Sequence, residues 1–218
     1  ALFIMLRFSQ KPAFILLGFM ASTAFLSMWI SNTATAMMMV PIAISVVSGM
    51  EGRVGETVAQ GRFSVGLLLG IAYSASIGGI ATLVGTPPNL SFVRIYSISF
   101  PNAAEIGFAD WFFFALPLSI ALLIICWGLL LLLWVRKVPR SGRDVIMQEY
   151  KELGKMSLEE KQVLVVFVTL ALLWLFRADI DLGSVVIPGW ERLFNHPSYL
   201  NDGVSAVICG ILLFLLPA

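Results

Sequence analysis

Two short polar motifs interrupt the most apolar parts of this 218-residue sequence. The first, Ser31-Asn32-Thr33, lies near the middle of residues 12–50, a stretch without Asp, Glu, Lys, Arg or His. The second, Gly85-Thr86-Pro87-Pro88-Asn89, interrupts residues 63–93, which carry no charge either. Their hydroxyl and amide groups can coordinate a small cation or donate hydrogen bonds to an anion. Both motifs are therefore candidate binding elements.

The second motif also frees backbone groups. Neither proline has an N–H to donate, and each disfavours helical geometry in the residue before it. Carbonyls around Leu83 to Gly85 are expected to lose their helical partners, which costs several kcal/mol per group in lipid. Two such breaks at membrane depth are typical of a transporter binding site. The alternatives are a Pro-kinked structural helix at 85–89 and an ordinary turn with capping residues at 31–33.

The helix ends at such breaks carry opposite partial charges. A helix ending near Ile30 would offer free carbonyls to a cation, and one starting after Thr33 would offer free N–H groups to an anion. No Lys or Arg lies within these runs. An anion would therefore be held by dipoles and neutral donors, with cations nearby for charge balance.

The composition sets the class of protein. Hydrophobic residues make up 59% of the chain and charged residues 12%, which a soluble domain of this length could not bury. We predict an all-α polytopic membrane protein with a re-entrant helical hairpin and transmembrane helices, one of them broken. The predicted segments are a hairpin at 12–50, a broken transmembrane helix at 63–95, a transmembrane helix at 111–135, a cytoplasmic amphipathic connector at 136–161, a transmembrane helix at 162–178 and the start of another at 203–218.

The basic residues predict the orientation. The connector 136–161 holds seven Lys and Arg residues, whereas 178–201 holds only Arg192 among acidic residues. The positive-inside rule places 136–161 in the cytoplasm and 178–201 outside. Counting back along the chain, 95–110 is also external and both ends of the hairpin are cytoplasmic.

The sequence argues against an enzyme. The predicted spans contain no Asp or His, and no base could activate a nucleophile, so we expect no catalytic residues. Cys126 and Cys209 lie in apolar segments without CxxC spacing, and His196 is the single histidine. We expect no organic cofactor, no protein-bound metal cluster and no nucleic-acid partner. The chain begins and stops within apolar sequence and is expected to be an internal piece of a larger membrane protein.

These motifs resemble a known family, the divalent anion/sodium symporters, which carry dicarboxylates, citrate or sulfate. The matching sequences are "MWISNTATAMM" around 31–33, "GTPPN" at 85–89 and the tail "DGVSAVICGILLFLLP". The resemblance runs in order through the whole chain. It implies two inverted repeats, each with a re-entrant hairpin and a broken helix, a homodimer, and elevator-like movement of the transport region. The second SNT motif that completes the family's site is not in this chain.

The resemblance also implies site residues. The coupling ion Na⁺, the only metal expected, would bind Ser27, Ser31, Asn32 and the backbone at Gly85. The substrate anion would bind Asn32, Thr33, Thr86 and Pro88. The expected function is sodium-coupled symport of di- or tricarboxylates such as succinate or citrate. The expected location is the lipid bilayer of the cell membrane, as a multi-pass protein of a bacterial inner membrane. A sodium-independent exchanger or sulfate transporter of the same family, and an ion channel, are the alternatives.

Overall fold

A computed structural model describes residues 12–51, 57–135, 154, 156–181, 186–194 and 201–216. Its helices, in chain order, are α1 (Pro12–Ser27), α2 (Asn32–Glu51), α3 (Thr57–Ile80), α4 (Pro87–Ser99), α5 (Phe108–Leu130), which continues into a π-helical turn (Leu131–Val135), α6 (Leu158–Leu175), a 3₁₀ turn (Trp190–Leu193) and α7 (Asp202–Leu215). The predicted helical class is confirmed. Among the described residues, β1 (Ile180–Asp181) and β2 (Val186–Ile187) form a two-residue antiparallel pair.

The chain divides into two compact units. The first comprises residues 1–103 and 112–154, and the second comprises 104–111 and 155–218. In the first unit, α1 and α2 both pack against α3, and the π-helical turn packs against α3 as well. The side chains fully enclosed in this core include Ile15, Leu16, Phe19, Met20, Val46, Phe63, Leu67 and Ile71.

The apolar surface of the first unit is suited to lipid. Two of the described helices, Gly61–Ile80 and Phe108–Val135, are long and apolar enough to cross a membrane. Helix α5 presents large apolar side chains such as Phe114, which is 77% exposed. A soluble surface rarely carries such a continuous apolar face, so hydrocarbon is its natural solvent.

In the second unit, α6 packs against α7. Helix α6 begins at Leu158, four residues before the predicted segment 162–178, because Ser157 and Glu160 form a capping box. The Ser157 hydroxyl accepts from the Glu160 N–H at 3.2 Å, and the Glu160 carboxylate accepts from the Ser157 N–H at 2.8 Å. Most of the predicted amphipathic connector, residues 136–153 and 155, lies outside the described residues.

Candidate functional site

The first motif, Ser31-Asn32-Thr33, lies at the junction between α1 and α2. Helix α1 ends at Ser27, three residues before the predicted end at Ile30, and a tight turn follows. Helix α2 begins at Asn32. Ser31 precedes it, and its hydroxyl accepts a hydrogen bond from the Ala34 N–H at 3.3 Å. The triplet thus places Asn32 and Thr33 in the first turn of α2, where backbone N–H groups have no helical acceptor.

Three oxygens meet beside the end of α1, and we call them the oxygen cluster. The Ser27 side chain is fully buried. Its Oγ lies 2.7 Å from Asn32 Oδ1 and 2.7 Å from the carbonyl oxygen of Ala75, near the C-terminal end of α3. A hydroxyl has one proton and can donate to only one of these acceptors. The cluster therefore brings two acceptor oxygens to one hydroxyl group, and neutral oxygens of these three kinds can coordinate a cation.

Two glycines allow the second break to approach this cluster. A Cβ at Gly79 would lie 2.4 Å from Asn32 Oδ1. A Cβ at Gly85 would lie 2.6 Å from the Gly79 carbonyl oxygen and 3.0 Å from the Ser27 carbonyl oxygen. Because real Cβ contacts are not as short as 2.6 Å, a side chain at Gly85 would clash with the backbone of Gly79, whereas one at Gly79 would have to displace the side-chain amide of Asn32. The backbone of Gly85 therefore lies against the end of α1, and the structure brings Ser27, Asn32 and Gly85 together.

The Asn89 side chain donates hydrogen bonds to backbone carbonyls at the second break. Its side chain is 8% exposed, and its Nδ2 donates to the carbonyl oxygens of Gly79 at 2.9 Å and Thr82 at 2.7 Å. The sequence predicts carbonyls without helical partners further along the chain, at Leu83 to Gly85. The amide of Asn89 instead serves the last turn of α3 and the connection after it, so this residue closes the break from the α4 side.

Thr82 links the two breaks and was not singled out by sequence reasoning. Its side chain is fully buried. Its hydroxyl donates to the carbonyl oxygen of Met28, in the turn after α1, and accepts from the Gly85 N–H at 3.0 Å. Within "IATLVG" a threonine carries no motif signal, because its β-branched side chain fits an apolar helix as well as a loop.

The residues expected to meet the substrate occupy more accessible positions. Thr33 and Pro88 are exposed, and Thr86 and Asn32 are half-buried. Thr86 is the N-cap residue of α4, with φ −148° and ψ 141°, yet its side chain makes no capping hydrogen bond. Its hydroxyl is therefore not used to close the helix on which it sits.

The second unit contains a separate charged cluster around Arg177. Its guanidinium is 9% exposed and pairs with Asp202 at 2.8 Å, Glu191 at 3.4 Å and Glu105 at 3.9 Å. The Trp174 indole N–H donates to the Asp202 carbonyl oxygen at 2.8 Å. Through these contacts Arg177 joins the N-terminus of α7 to Glu105 and to the 3₁₀ turn at Glu191.

Comparisons with known proteins identify the family of the chain. The model of the family described as "Sodium:sulfate symporter transmembrane region" matches residues 1–218. The chain belongs to this family, whose members are membrane transporters and not enzymes.

Three curated relatives are similar along nearly the whole chain. The sodium-dependent high-affinity dicarboxylate transporter 3 of Caenorhabditis elegans is 37% identical over 225 residues, covering 96% of this chain and 38% of that protein. The sodium-dependent low-affinity dicarboxylate transporter 1 of the same organism is 34% identical over 263 residues, covering 100% of this chain and 44% of that protein. The sodium-dependent dicarboxylate transporter SdcS of Staphylococcus aureus (strain NCTC 8325 / PS 47) is 39% identical over 211 residues, covering 94% of this chain and 38% of that protein. This chain thus spans about two fifths of the length of the curated relatives it matches.

Proposed function

We propose that this chain forms part of a sodium-coupled symporter of di- and tricarboxylate anions such as succinate or citrate. The observation that carries the proposal is the oxygen cluster, which lies between the end of α1 and the break after α3. The names of the relatives, sodium-dependent dicarboxylate transporters, support both the ion and the class of substrate.

The sodium ion would bind at the oxygen cluster. Ser27 Oγ and Asn32 Oδ1 are already within 2.7 Å of each other, and the backbone of Gly85 lies against the Ser27 carbonyl. Ser31 would join them from the turn between α1 and α2. Na⁺ is a hard cation that accepts neutral oxygen ligands, and its single charge requires no carboxylate partner.

The substrate would bind on the accessible side of the same residues. With its oxygen directed at Ser27, the Asn32 amide has its NH₂ group left to donate to a carboxylate. The free N–H groups at the start of α2 and the hydroxyl of Thr33 add neutral donors. Thr86 and Pro88, at the start of α4, would complete this half of the site, and the Thr86 hydroxyl is not used for capping.

The membrane arrangement we propose is a cytoplasmic re-entrant hairpin, α1 and α2, beside a transmembrane helix broken into α3 and α4. Two contacts support the assignment of segments to the two sides of the membrane, because each joins segments assigned to the same side. Arg177 pairs with Glu105 and Glu191, so two connectors that the positive-inside rule places outside lie together. Arg62 Nη2 donates to the Leu133 carbonyl oxygen at 2.8 Å, which joins two segment ends assigned to the cytoplasmic side. In the full-length protein, a homodimer would carry the site across the membrane by elevator movement.

A second candidate substrate is sulfate, because the matching family is named for a sodium:sulfate symporter. Neutral donors can hold sulfate oxygens as well as carboxylate oxygens. The test is uptake of labelled succinate, citrate and sulfate into proteoliposomes of the full-length protein, with Na⁺ or with K⁺ in its place. We expect saturable succinate or citrate uptake that requires Na⁺ and shows counterflow. Uptake that is equal in K⁺ contradicts sodium coupling, and flux without counterflow indicates a channel.

A further inference from the structure

One hydroxyl group forms hydrogen bonds to both breaks. Thr82 lies in the connection between α3 and α4, and its side chain is fully buried. Its O–H donates to the Met28 carbonyl oxygen, and its oxygen accepts from the Gly85 N–H at 3.0 Å. Both the donor and one acceptor position of the hydroxyl are therefore used. Each partner belongs to a different break.

Of the two residues that Thr82 contacts, one is next to a proposed ligand of the sodium ion and the other is a proposed ligand. Met28 directly follows Ser27, whose Oγ belongs to the oxygen cluster. Gly85 is itself the proposed backbone ligand from the second break, and it lies against the Ser27 carbonyl oxygen. Thr82 thus links the turn after α1 to Gly85, although it contributes no atom to the oxygen cluster.

We propose that Thr82 is a positioning residue for sodium, which fixes the turn after α1 relative to Gly85 so that both sides of the cation site form together. This inference rests on the proposed sodium-coupled function. Without the hydroxyl, the two breaks would still pack, but the ion would have to order them when it binds. Preorganised ligands bind more tightly because that ordering cost is already met by the fold.

The chain offers a matched control in Thr23. Its side chain is also fully buried, but its hydroxyl donates within α1 to the Phe19 carbonyl oxygen at 2.7 Å. Replacing either threonine by valine keeps the shape and removes the hydroxyl. Only Thr82→Val removes a link between the two breaks.

The experiment measures succinate uptake against sodium concentration in proteoliposomes of the full-length protein. We expect Thr82→Val to raise the half-saturating sodium concentration roughly three- to tenfold, as the loss of hydrogen bonds of this kind predicts. The maximal rate at saturating sodium should be largely kept. Thr82→Ser should restore the wild-type sodium curve, and Thr23→Val should leave it unchanged.

A second measurement separates positioning from general stability. Sodium should raise the midpoint of thermal unfolding of the purified wild-type protein, because it binds the folded state. In Thr82→Val this sodium-dependent rise should shrink, whereas a purely structural role would lower the midpoint equally at every sodium concentration. If Thr82→Val yields no folded protein, Thr82→Cys, whose thiol is a weak donor, decides the matter by the same two readouts.

The outcomes distinguish this inference from the proposed function. A wild-type sodium response in Thr82→Val, or in Thr82→Cys where that variant is needed, overturns the positioning role while leaving sodium coupling intact. A wild-type protein that shows no sodium response in either measurement overturns the proposed function and this inference with it.

Discussion

The side-chain amide of Asn89 donates to the carbonyl oxygen of Gly79 at 2.9 Å, across the break between α3 and α4. The same Nδ2 reaches the Thr82 carbonyl oxygen at 2.7 Å. One buried side chain thus replaces two helical N–H donors. In lipid, irregular backbone is tolerated only where protein groups or the water of a cavity satisfy its polar atoms, and here the Asn89 amide satisfies two of them.

Asn89→Leu should therefore destabilise the full-length protein. Leucine has a similar volume but leaves two buried carbonyl groups unpaired, at a cost of about 1–3 kcal/mol each. The measurement is the midpoint of thermal unfolding in detergent. Asn102→Leu, at an exposed position after α4, is the control and should change the midpoint little. Equal midpoints for both variants would mean that the Asn89 amide does not support the break.

Ser27→Ala should raise the sodium requirement of uptake. It removes the central oxygen of the oxygen cluster, and the loss of a ligand to a charged group corresponds to roughly 1.5–3 kcal/mol, or one to two decades in sodium affinity. The matched control is Ser22→Ala on the same helix. Ser22 is 8% exposed and its hydroxyl oxygen has no hydrogen-bond partner among the described residues, so its removal should leave the sodium curve unchanged. Identical curves for the two variants would place the cation elsewhere.

Gly79→Ala should weaken sodium binding by displacing Asn32. The added Cβ would lie 2.4 Å from Asn32 Oδ1, so the amide must move away from Ser27. Gly61→Ala lies on the same helix with open space around its Cβ, and it should be neutral or slightly stabilising. The sodium concentration for half-maximal uptake is the readout. A Gly79→Ala protein with wild-type sodium affinity would show that the position of Asn32 does not matter.

The ion pairs of Arg177 and of Arg192, both in the second unit, should contribute differently to stability. Arg177→Met leaves Asp202 and Glu191 without their buried partner and should lower the free energy of unfolding by about 3 kcal/mol. Arg192 is 61% exposed and pairs with Asp179, so Arg192→Met should cost at most about 1 kcal/mol. Chemical unfolding followed by tryptophan fluorescence compares the two. A smaller effect at Arg177 than at Arg192 would contradict the assignment of the buried cluster as the stronger one.

The orientation is open to direct labelling. With Cys126 and Cys209 replaced, a cysteine at Asn102 or Asn201 should react with an impermeant thiol reagent added outside intact cells. A cysteine at Ser141 should react only when the reagent reaches the cytoplasm. Labelling of position 141 from outside would contradict the predicted orientation of the whole chain.

Composition and polar motifs predicted the class of protein, since apolar content follows directly from the solvent in which a chain resides. The residues that hold the candidate site together were harder to predict. Ala75 contributes a carbonyl oxygen, which every residue type has, and Thr82 lies in an apolar stretch without a turn signal. Their contacts depend on how α1 packs against α3, and no local pattern encodes that packing.

Of the two shifts in helix ends, at α1 and at α6, only the one at α6 has a local signal in the sequence. Nothing between Ser27 and Ser31 forbids a helix, so composition alone could not end α1 at Ser27. The start of α6, in contrast, was readable from the Ser-x-x-Glu sequence at 157–160, which is a capping-box signature.

The oxygen cluster has a consequence for protons. Ser27, Asn32 and Ala75 provide a hydroxyl, an amide and a peptide oxygen, none of which titrates between about pH 5 and 9. Acidification therefore cannot discharge these oxygens. If they hold the sodium ion as proposed, a change of external acidity should leave the sodium requirement of uptake unchanged and should act instead on groups outside the cluster, among them the carboxylates of the substrate.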